Sequence, residues 1–569
     1  MAPLLGAPLA APAQAPHDQA AVDRFNWRDL WRFTGPGLLM SVAFLDPGNL
    51  EADMQAGAKT RYALLWLLVL ATAMGLALQL QAARIGVATG KHLAQHCREE
   101  YPRFWRLFLW VTTEIAIVGS DIQEVIGCAI AVRVLTGGAV PLWAGTILSA
   151  LAAFGMLLID GLGGMRSIEA LFAVLLSIMA LSFTAMFYVS GVPVEDVMHG
   201  LVVPVLPKGS LLQAMAIIGA MVMPHNLWLH SALVLSRSSR RTPGEATAMM
   251  IGDSRHENGR PLLDDDEDDE PDAAEPADEA GTLGGMSSGG VAPMHHGEDH
   301  LPAVPGPLQL RYFSIESAAA LFVSLIINVC VVSVFAHGMY DVSGARPRMT
   351  DVGLFTACDY LVELFGPSMR WIWGLGLLAA GNASTMSGTL AGQYVMSGLL
   401  RLRIHAQSRM LVTRSVALLP TLAVAVLTRD GFDDLNQILN VVQCLVLPFA
   451  LAPTLAVATS PRIMGEMVCP PTLAVLSWGL AGSTIFINFA LLTQDVLPVA
   501  RQDPWLLLPL IGGCALYSAA ALRLATMLRG SGAKAREREG GCKWLPRRDA
   551  AGYSVQNGHD GEDFEGWAA

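Results

Sequence analysis

Apolar residues along this chain fall in long blocks separated by short polar joints. Many blocks approach or exceed the ~20 residues that a helix needs to cross a bilayer. Tyr62–Ala83, Leu142–Ile159, Ala170–Val189, Ala318–Ala336 and Trp505–Leu522 are examples. The pattern predicts twelve spans, at about 30–52, 62–90, 105–136, 140–160, 168–190, 211–236, 314–338, 369–397, 410–428, 435–458, 471–494 and 504–526. Joints after even-numbered spans are basic: "GKHLAQHCREEYPRFWR", "SRSSRRTPGE", "RLRIHAQSR" and "RLATMLRGSGAKARERE". The opposite joints, such as "TRDGFDDLNQ" and "SGVPVEDVMHG", are neutral or acidic. Positive charge stays on the cytoplasmic side, so both termini are expected there.

Composition supports a membrane protein. Of 569 residues, 53% are hydrophobic and only 15% charged, too few charges for a soluble multidomain chain. The net charge of −12 is a local effect, because Asp264–Glu279 alone carries 11 acids. That block belongs to an acidic insert at 237–312, expected to be a disordered cytoplasmic linker. Within it, "HHGEDH" (residues 295–300) is a candidate metal buffer, although a plain linker is the simpler reading. Residues 1–28 and 527–569 are expected to be cytoplasmic tails around spans 1–6 (29–236) and 7–12 (313–526). The Ala/Pro-rich N-terminus lacks the basic start of a signal peptide. Eight scattered cysteines, none in CxxC spacing, argue against a disulfide scaffold or zinc site. No phosphate-binding loop, nucleophile elbow or metal-hydrolase motif is present, so no enzyme activity is expected, nor a nucleic-acid partner.

Two spans are interrupted. In "FLDPGNLEAD" (residues 44–53), Pro47 removes an amide donor and Gly48 permits unusual dihedrals. A helix break in lipid exposes carbonyls, tolerated only where they line a cavity or bind something. Asp46 and Asn49 add side-chain oxygens at the same depth, and an intramembrane carboxylate is a functional candidate by default. From this stretch alone, a pinned kink with Asp46 at the interface stands equally well. The second interruption, Met223-Pro224-His225-Asn226, lies five spans later. Paired interruptions in corresponding places point to a transporter site between two repeats. Met223 by itself is an ordinary packing residue. Beside Asp46 and Asn49 it would add a soft thioether to hard oxygens, a set suited to Mn²⁺ or Fe²⁺ rather than Ca²⁺ or Mg²⁺.

Span three carries Glu114, Asp121 and Glu124, spaced so that all three carboxylates share one helical face. Acids in an apolar helix mark proton relays, while a structural salt-bridge network is the alternative. Arg414, His225 and His230 are candidate partners. His230 is the weaker one, because a lone intramembrane histidine is usually a satisfied packing residue.

"DPGN" in span one with "MPHN" in span six resembles the natural resistance-associated macrophage protein (NRAMP) family of proton-coupled divalent-metal transporters. The resemblance runs from about Trp31 to Gln494 and includes "GNASTMSGTLAGQYVM", "RMLVTRSVALLP" and "NVVQCLVLPFALAP". It implies an all-α polytopic membrane protein of the leucine-transporter (LeuT) type. Ten core helices would form two inverted five-helix repeats beside two peripheral helices, with spans 1 and 6 unwound at mid-membrane. It implies Asp46, Asn49 and Met223 as side-chain metal ligands and Ala43 and Ala220 as carbonyl ligands. Asn440 would complete the occluded site, with Gln443 about one turn further on. Asp121, Glu124, His225, His230 and Arg414 match the family's proton-pathway positions. The implied cargo is Mn²⁺ or Fe²⁺ with H⁺, with no permanently bound cofactor, in a plasma, endosomal or vacuolar membrane. Three positions depart from the family pattern: Asn382 and Ser397, where glutamine and glutamate are frequent, and Val446, where glutamine is common.

Overall fold

A computed structural model describes residues 25–35, 40, 44–160, 165–237, 306–341, 346–347, 352–400, 406–427, 431–497 and 504–539. The N-terminal tail, nearly all of the acidic insert including residues 295–300, and the end of the C-terminal tail lie outside them, as does Ala43. Contacts divide the chain into residues 1–528, which hold the spans, and 529–569.

Helices α1 (Trp27–Phe33) and α2 (Pro47–Thr60) bracket the first interruption. They are followed by α3 (Leu65–Thr89), α4 (Leu93–Glu100), α5 (Arg103–Leu135), α6 (Leu142–Asp160), α7 (Met165–Val189) and α8 (Val194–Val202). Helices α9 (Leu211–Met221) and α10 (Pro224–Arg237) are the two halves of span six. The second part of the chain forms α11 (Gly306–Met339), α12 (Leu354–Phe365), α13 (Ser368–Leu400), α14 (Ala406–Leu427) and α15 (Gly431–Ala458). It ends with α16 (Pro461–Met464), α17 (Pro471–Leu491) and α18 (Pro504–Glu539). The only strands among the described residues are two-residue segments that pair Tyr340 with Pro347 and Asp341 with Arg346.

Most expected spans start and stop within a few residues of these helices, because long apolar runs leave the backbone no partner in lipid except itself. Two ends differ. Helix α11 begins at Gly306, inside the stretch expected to belong to the insert. Its extra turns bury Leu308, Tyr312 and Phe313 against Phe33 and Val87, and the Tyr312 hydroxyl accepts a bond from the Asn26 amide at 2.9 Å. Helix α18 continues to Glu539, through Gly530-Ser531-Gly532 into a final turn and more of the good helix formers Ala, Lys, Arg and Glu. The short amphipathic α4, α8 and α12 lie in joints between expected spans, where hydropathy carries no signal for them.

Among the described residues, seven segments are long and apolar enough to cross a membrane alone, or eight if the bent pair 177–189 and 194–202 counts as one. Spans four and nine contribute shorter apolar helices, Leu142–Ala152 and Ser415–Val426. Burial sorts the spans into centre and rim. Protein covers 83% of the apolar window of α5 and of α15, but only 28% in the span of α17 and 17% in that of α18. The last two therefore present most of their surface to lipid. Close approach at the centre depends on small residues. A Cβ on Gly219 of α9 would collide with the Asn440 carbonyl of α15, and one on Gly127 of α5 with the Pro47 ring. Gly219→Ala is accordingly expected to lower stability by about 1–3 kcal/mol, the usual penalty for overpacking. Thermal melting of the purified variant checks it.

Candidate metal site at the two helix breaks

The prolines explain the carbonyls. An α-helical carbonyl accepts from the amide four residues on, and Pro224 stands four residues after Ala220, Pro47 four after Ala43. Neither proline has an N–H to give. Ala220 O is thereby released from helix α9 and accepts instead from Asn49 Nδ2 at 3.1 Å, across from the other break. Around the first break, Phe44–Asp46 form a turn, and the Phe44 carbonyl accepts from Asn328 Nδ2 of α11 at 3.3 Å.

Asp46 caps α2. Its Oδ1 accepts from the Asn49 backbone N–H at 2.8 Å and from Asn49 Nδ2 at 2.7 Å. The other carboxylate oxygen, Oδ2, is buried with no hydrogen-bond partner among the described residues. A buried carboxylate with an unanswered oxygen is costly unless a cation or proton meets it. Asn49 Nδ2 thus sits between Asp46 Oδ1 and Ala220 O, a donor drawing together two oxygens that a cation would also draw together. Turning that amide over presents Asn49 Oδ1 to the same point and makes the set three oxygens. Met223, in the gap between α9 and α10, is 2% exposed. Its carbonyl accepts from the Asn226 amide at 3.2 Å. No group of three or more His, Cys, Asp and Glu side chains suited to a metal occurs among the described residues. Any metal held here therefore relies on amide, carbonyl and thioether donors around one carboxylate.

Helix α15 closes the site through an amide chain that the sequence reading missed in part. Asn440 Nδ2 donates to Gly48 O at 3.0 Å, and Asn440 Oδ1 accepts from Gln123 Nε2 at 2.7 Å. Gln123 also donates to Asn436 O (3.1 Å) and accepts from Gln443 Nε2 (2.9 Å). Its side chain lies against Gly48, where a Cβ would fall 2.8 Å from Gln123 Oε1. Gln123 of α5 is therefore the hub joining the first break to α15. Its visible signal was an amide in an apolar helix directly beside Glu124. Asn328, a lone amide in span seven, carried the same signal.

The carboxylates of α5 separate into two places. Glu124 is fully buried and accepts from Ser384 (2.8 Å) and Ser120 (3.1 Å) on one oxygen, and from Thr385 (2.8 Å) on the other. A Cβ on Gly388 would lie 3.7 Å from Asp121 Oδ1 and 3.9 Å from Glu124 Oε1, so these two acids meet over one glycine of α13. Glu114 is half-buried two turns away, where its carboxylate accepts from Trp110 Nε1 at 3.0 Å. On α10, His225 and His230 are both buried. Neither ring nitrogen of His230 has a hydrogen-bond partner among the described residues, which is not how a satisfied packing histidine looks. Arg414 falls on α14, but its side chain is outside the described residues. The departing residues Asn382 and Ser397 bond back to their own helix, at Leu378 O (2.8 Å) and Gln393 O (2.7 Å).

Helical spans around two breaks, with an oxygen cluster at their junction, define a polytopic membrane protein built on a transporter fold. The natural resistance-associated macrophage protein-like family model matches residues 37–258 and 300–494, and the chain belongs to that family, whose members are metal transporters and not enzymes. It is 42% identical over 474 residues to metal transporter Nramp3.2 of Populus trichocarpa, covering 82% of this chain and 81% of that one. It is also 42% identical over 441 residues to the metal transporter nramp1 homolog of Dictyostelium discoideum, covering 78% and 70%. The fold is shared with a crystal structure of the Eremococcus coleocola manganese transporter, at TM-score 0.65 and 23% identity, over 90% of this chain and 98% of that one. The helical, polytopic class expected from the sequence holds.

Proposed function

We propose that this chain is a secondary transporter that moves Mn²⁺ and/or Fe²⁺ toward the cytoplasm together with protons, by alternating access. The observation that carries the reading is the buried, unanswered Asp46 Oδ2 beside the carbonyl that Pro224 releases. Asp46, Asn49, Met223 and the carbonyls of Ala43 and Ala220 are the proposed ligands, with Asn440 and Gln443 closing the site from α15. Family membership, plant and amoeban relatives named as metal transporters and a bacterial relative named as a manganese transporter support the cargo class.

Coupling follows from competition. A carboxylate ligating a dication does not readily keep a proton, so metal arrival at Asp46 expels one toward Asp121 and Glu124. The Ser/Thr hydroxyls around Glu124, the Nδ1 of His225 and both ring nitrogens of His230, which have no hydrogen-bond partner among the described residues, are suited to pass it on. Glu114, more exposed, and Arg414 are the proposed outer members. We propose a plasma, endosomal or vacuolar membrane as the protein's location, with both termini in the cytoplasm.

A sodium-coupled amino-acid or solute symporter on the same fold would leave helix-end amides open for a substrate carboxylate. Here the junction holds the Asp46 carboxyl group and a thioether instead. Proteoliposomes separate the readings: Mn²⁺ added outside should enter and acidify the lumen in step. Metal entry without acidification would instead identify a uniporter or channel, and no entry at all would remove metal transport.

A further inference from the structure

The device that frees Ala220 recurs in α15, away from the metal. Pro448 lies inside this continuous helix and has no N–H for the carbonyl four residues earlier, that of Cys444. Two peripheral helices answer it. Asn488 of α17 donates from Nδ2 to Cys444 O at 3.1 Å, and its Oδ1 receives the Cys444 thiol at 3.3 Å. The second Nδ2 hydrogen goes to the Tyr517 hydroxyl of α18 at 2.8 Å, and that hydroxyl donates to Leu445 O at 2.9 Å. Every polar atom of Asn488 is used, in a residue 1% exposed. Asn488 lies on the buried face of α17, where an amide is costly unless it is hydrogen-bonded. The Tyr517 ring is fixed edge-on to Phe449, with centroids 5.1 Å apart.

Cys444 stands one helical turn from Asn440 and next to Gln443, the residues by which α15 reaches Gly48 and Gln123. A cavity of about 230 Å³, lined by Leu445, Asn488, Phe489, Leu492, Gly513 and Tyr517, adjoins this contact. Leu445 is the residue of α15 that borders it.

We propose that Asn488 and Tyr517 are positioning residues for transport: they clamp α15 at the backbone hydrogen bond that Pro448 leaves unmade and make α17 and α18 the fixed frame against which the Asn440 end of α15 moves. The inference rests on the transport reading above, in which α15 closes the site. Neither residue touches the metal, so the clamp acts on the rate of closure and not on affinity.

The experiment compares the full-length protein with Asn488→Leu, Tyr517→Phe, Pro448→Ala and the Asn488→Leu/Pro448→Ala pair. Melting midpoint, equilibrium Mn²⁺ binding and initial Mn²⁺ uptake are measured for each. Asn488→Leu strands a buried carbonyl, so its midpoint should fall and its uptake rate drop about tenfold, with the Mn²⁺ dissociation constant unchanged within error. Tyr517→Phe should show the same pattern more weakly. Adding Pro448→Ala restores the missing amide, so the pair should regain the melting midpoint while uptake stays slow, because the frame is still detached. Wild-type uptake in Asn488→Leu, or a midpoint that Pro448→Ala does not recover, would overturn the clamp. Should the wild type take up no Mn²⁺, the transport reading fails, and a midpoint that recovers would then identify the clamp as structural only.

Discussion

Asp46→Ala is expected to reduce Mn²⁺ uptake in proteoliposomes by two orders of magnitude or more. The substitution removes the carboxylate that Asn49 holds at the junction of the breaks and leaves a dication facing neutral amide, carbonyl and thioether donors there. Stripping one partner from a buried charge pair costs about 3–5 kcal/mol, which is about two to three and a half powers of ten in binding. Asp46 also caps α2 through the Asn49 amide, and loss of a cap by itself costs about 1 kcal/mol. Asp46→Asn distinguishes the two effects, since its amide oxygen still caps the helix but carries no charge. It should melt near the wild type and still lose uptake. An Asp46→Asn protein that transports Mn²⁺ normally would contradict the assignment of the charge to the cargo.

Met223→Ala is expected to change which cation passes more than how fast Mn²⁺ passes. The side chain is almost wholly buried in the gap between α9 and α10. Removing it replaces a soft thioether by space for water and leaves hard oxygens. Transition metals lose the donor that distinguishes them from Ca²⁺ and Mg²⁺, which bind through oxygen alone. Mn²⁺ should still enter, whereas Ca²⁺ or Mg²⁺, excluded by the wild type, should now compete with it. Competition assays with each alkaline-earth ion read this directly, and selectivity unchanged from the wild type would remove the thioether from the account.

Much of this was visible in the sequence because lipid is a restrictive solvent. Apolar runs had to become helices, and Pro47 and Pro224 had to interrupt two of them. The site's amide chain was less visible. Asn440 and Gln443 were found through family resemblance, but Gln123 was passed over, since its partners at 436, 440 and 443 lie more than 300 residues away. Nothing local distinguishes such a glutamine from one that faces water. The three carboxylates of α5 showed the opposite limit. Helical spacing put them on one face, yet only Asp121 and Glu124 meet at Gly388, because α13 supplies hydroxyls and a glycine there. The early start of α11 was hidden by Gln309 and Arg311 among apolar neighbours whose partner, Phe33, comes from the other end of the chain. The clamp on Pro448 was likewise unreadable: the proline announces a free carbonyl, but not that Asn488 answers it.

The most direct test is to locate the cargo. Anomalous diffraction at the manganese edge from Mn²⁺-soaked crystals should give one strong peak within coordination distance of Asp46, Asn49, Met223 and the Ala220 carbonyl, with the Asn49 amide turned so that its oxygen faces the metal. A strong peak elsewhere in the protein, with Asn49 Nδ2 still bridging Asp46 and Ala220, would contradict the central claim.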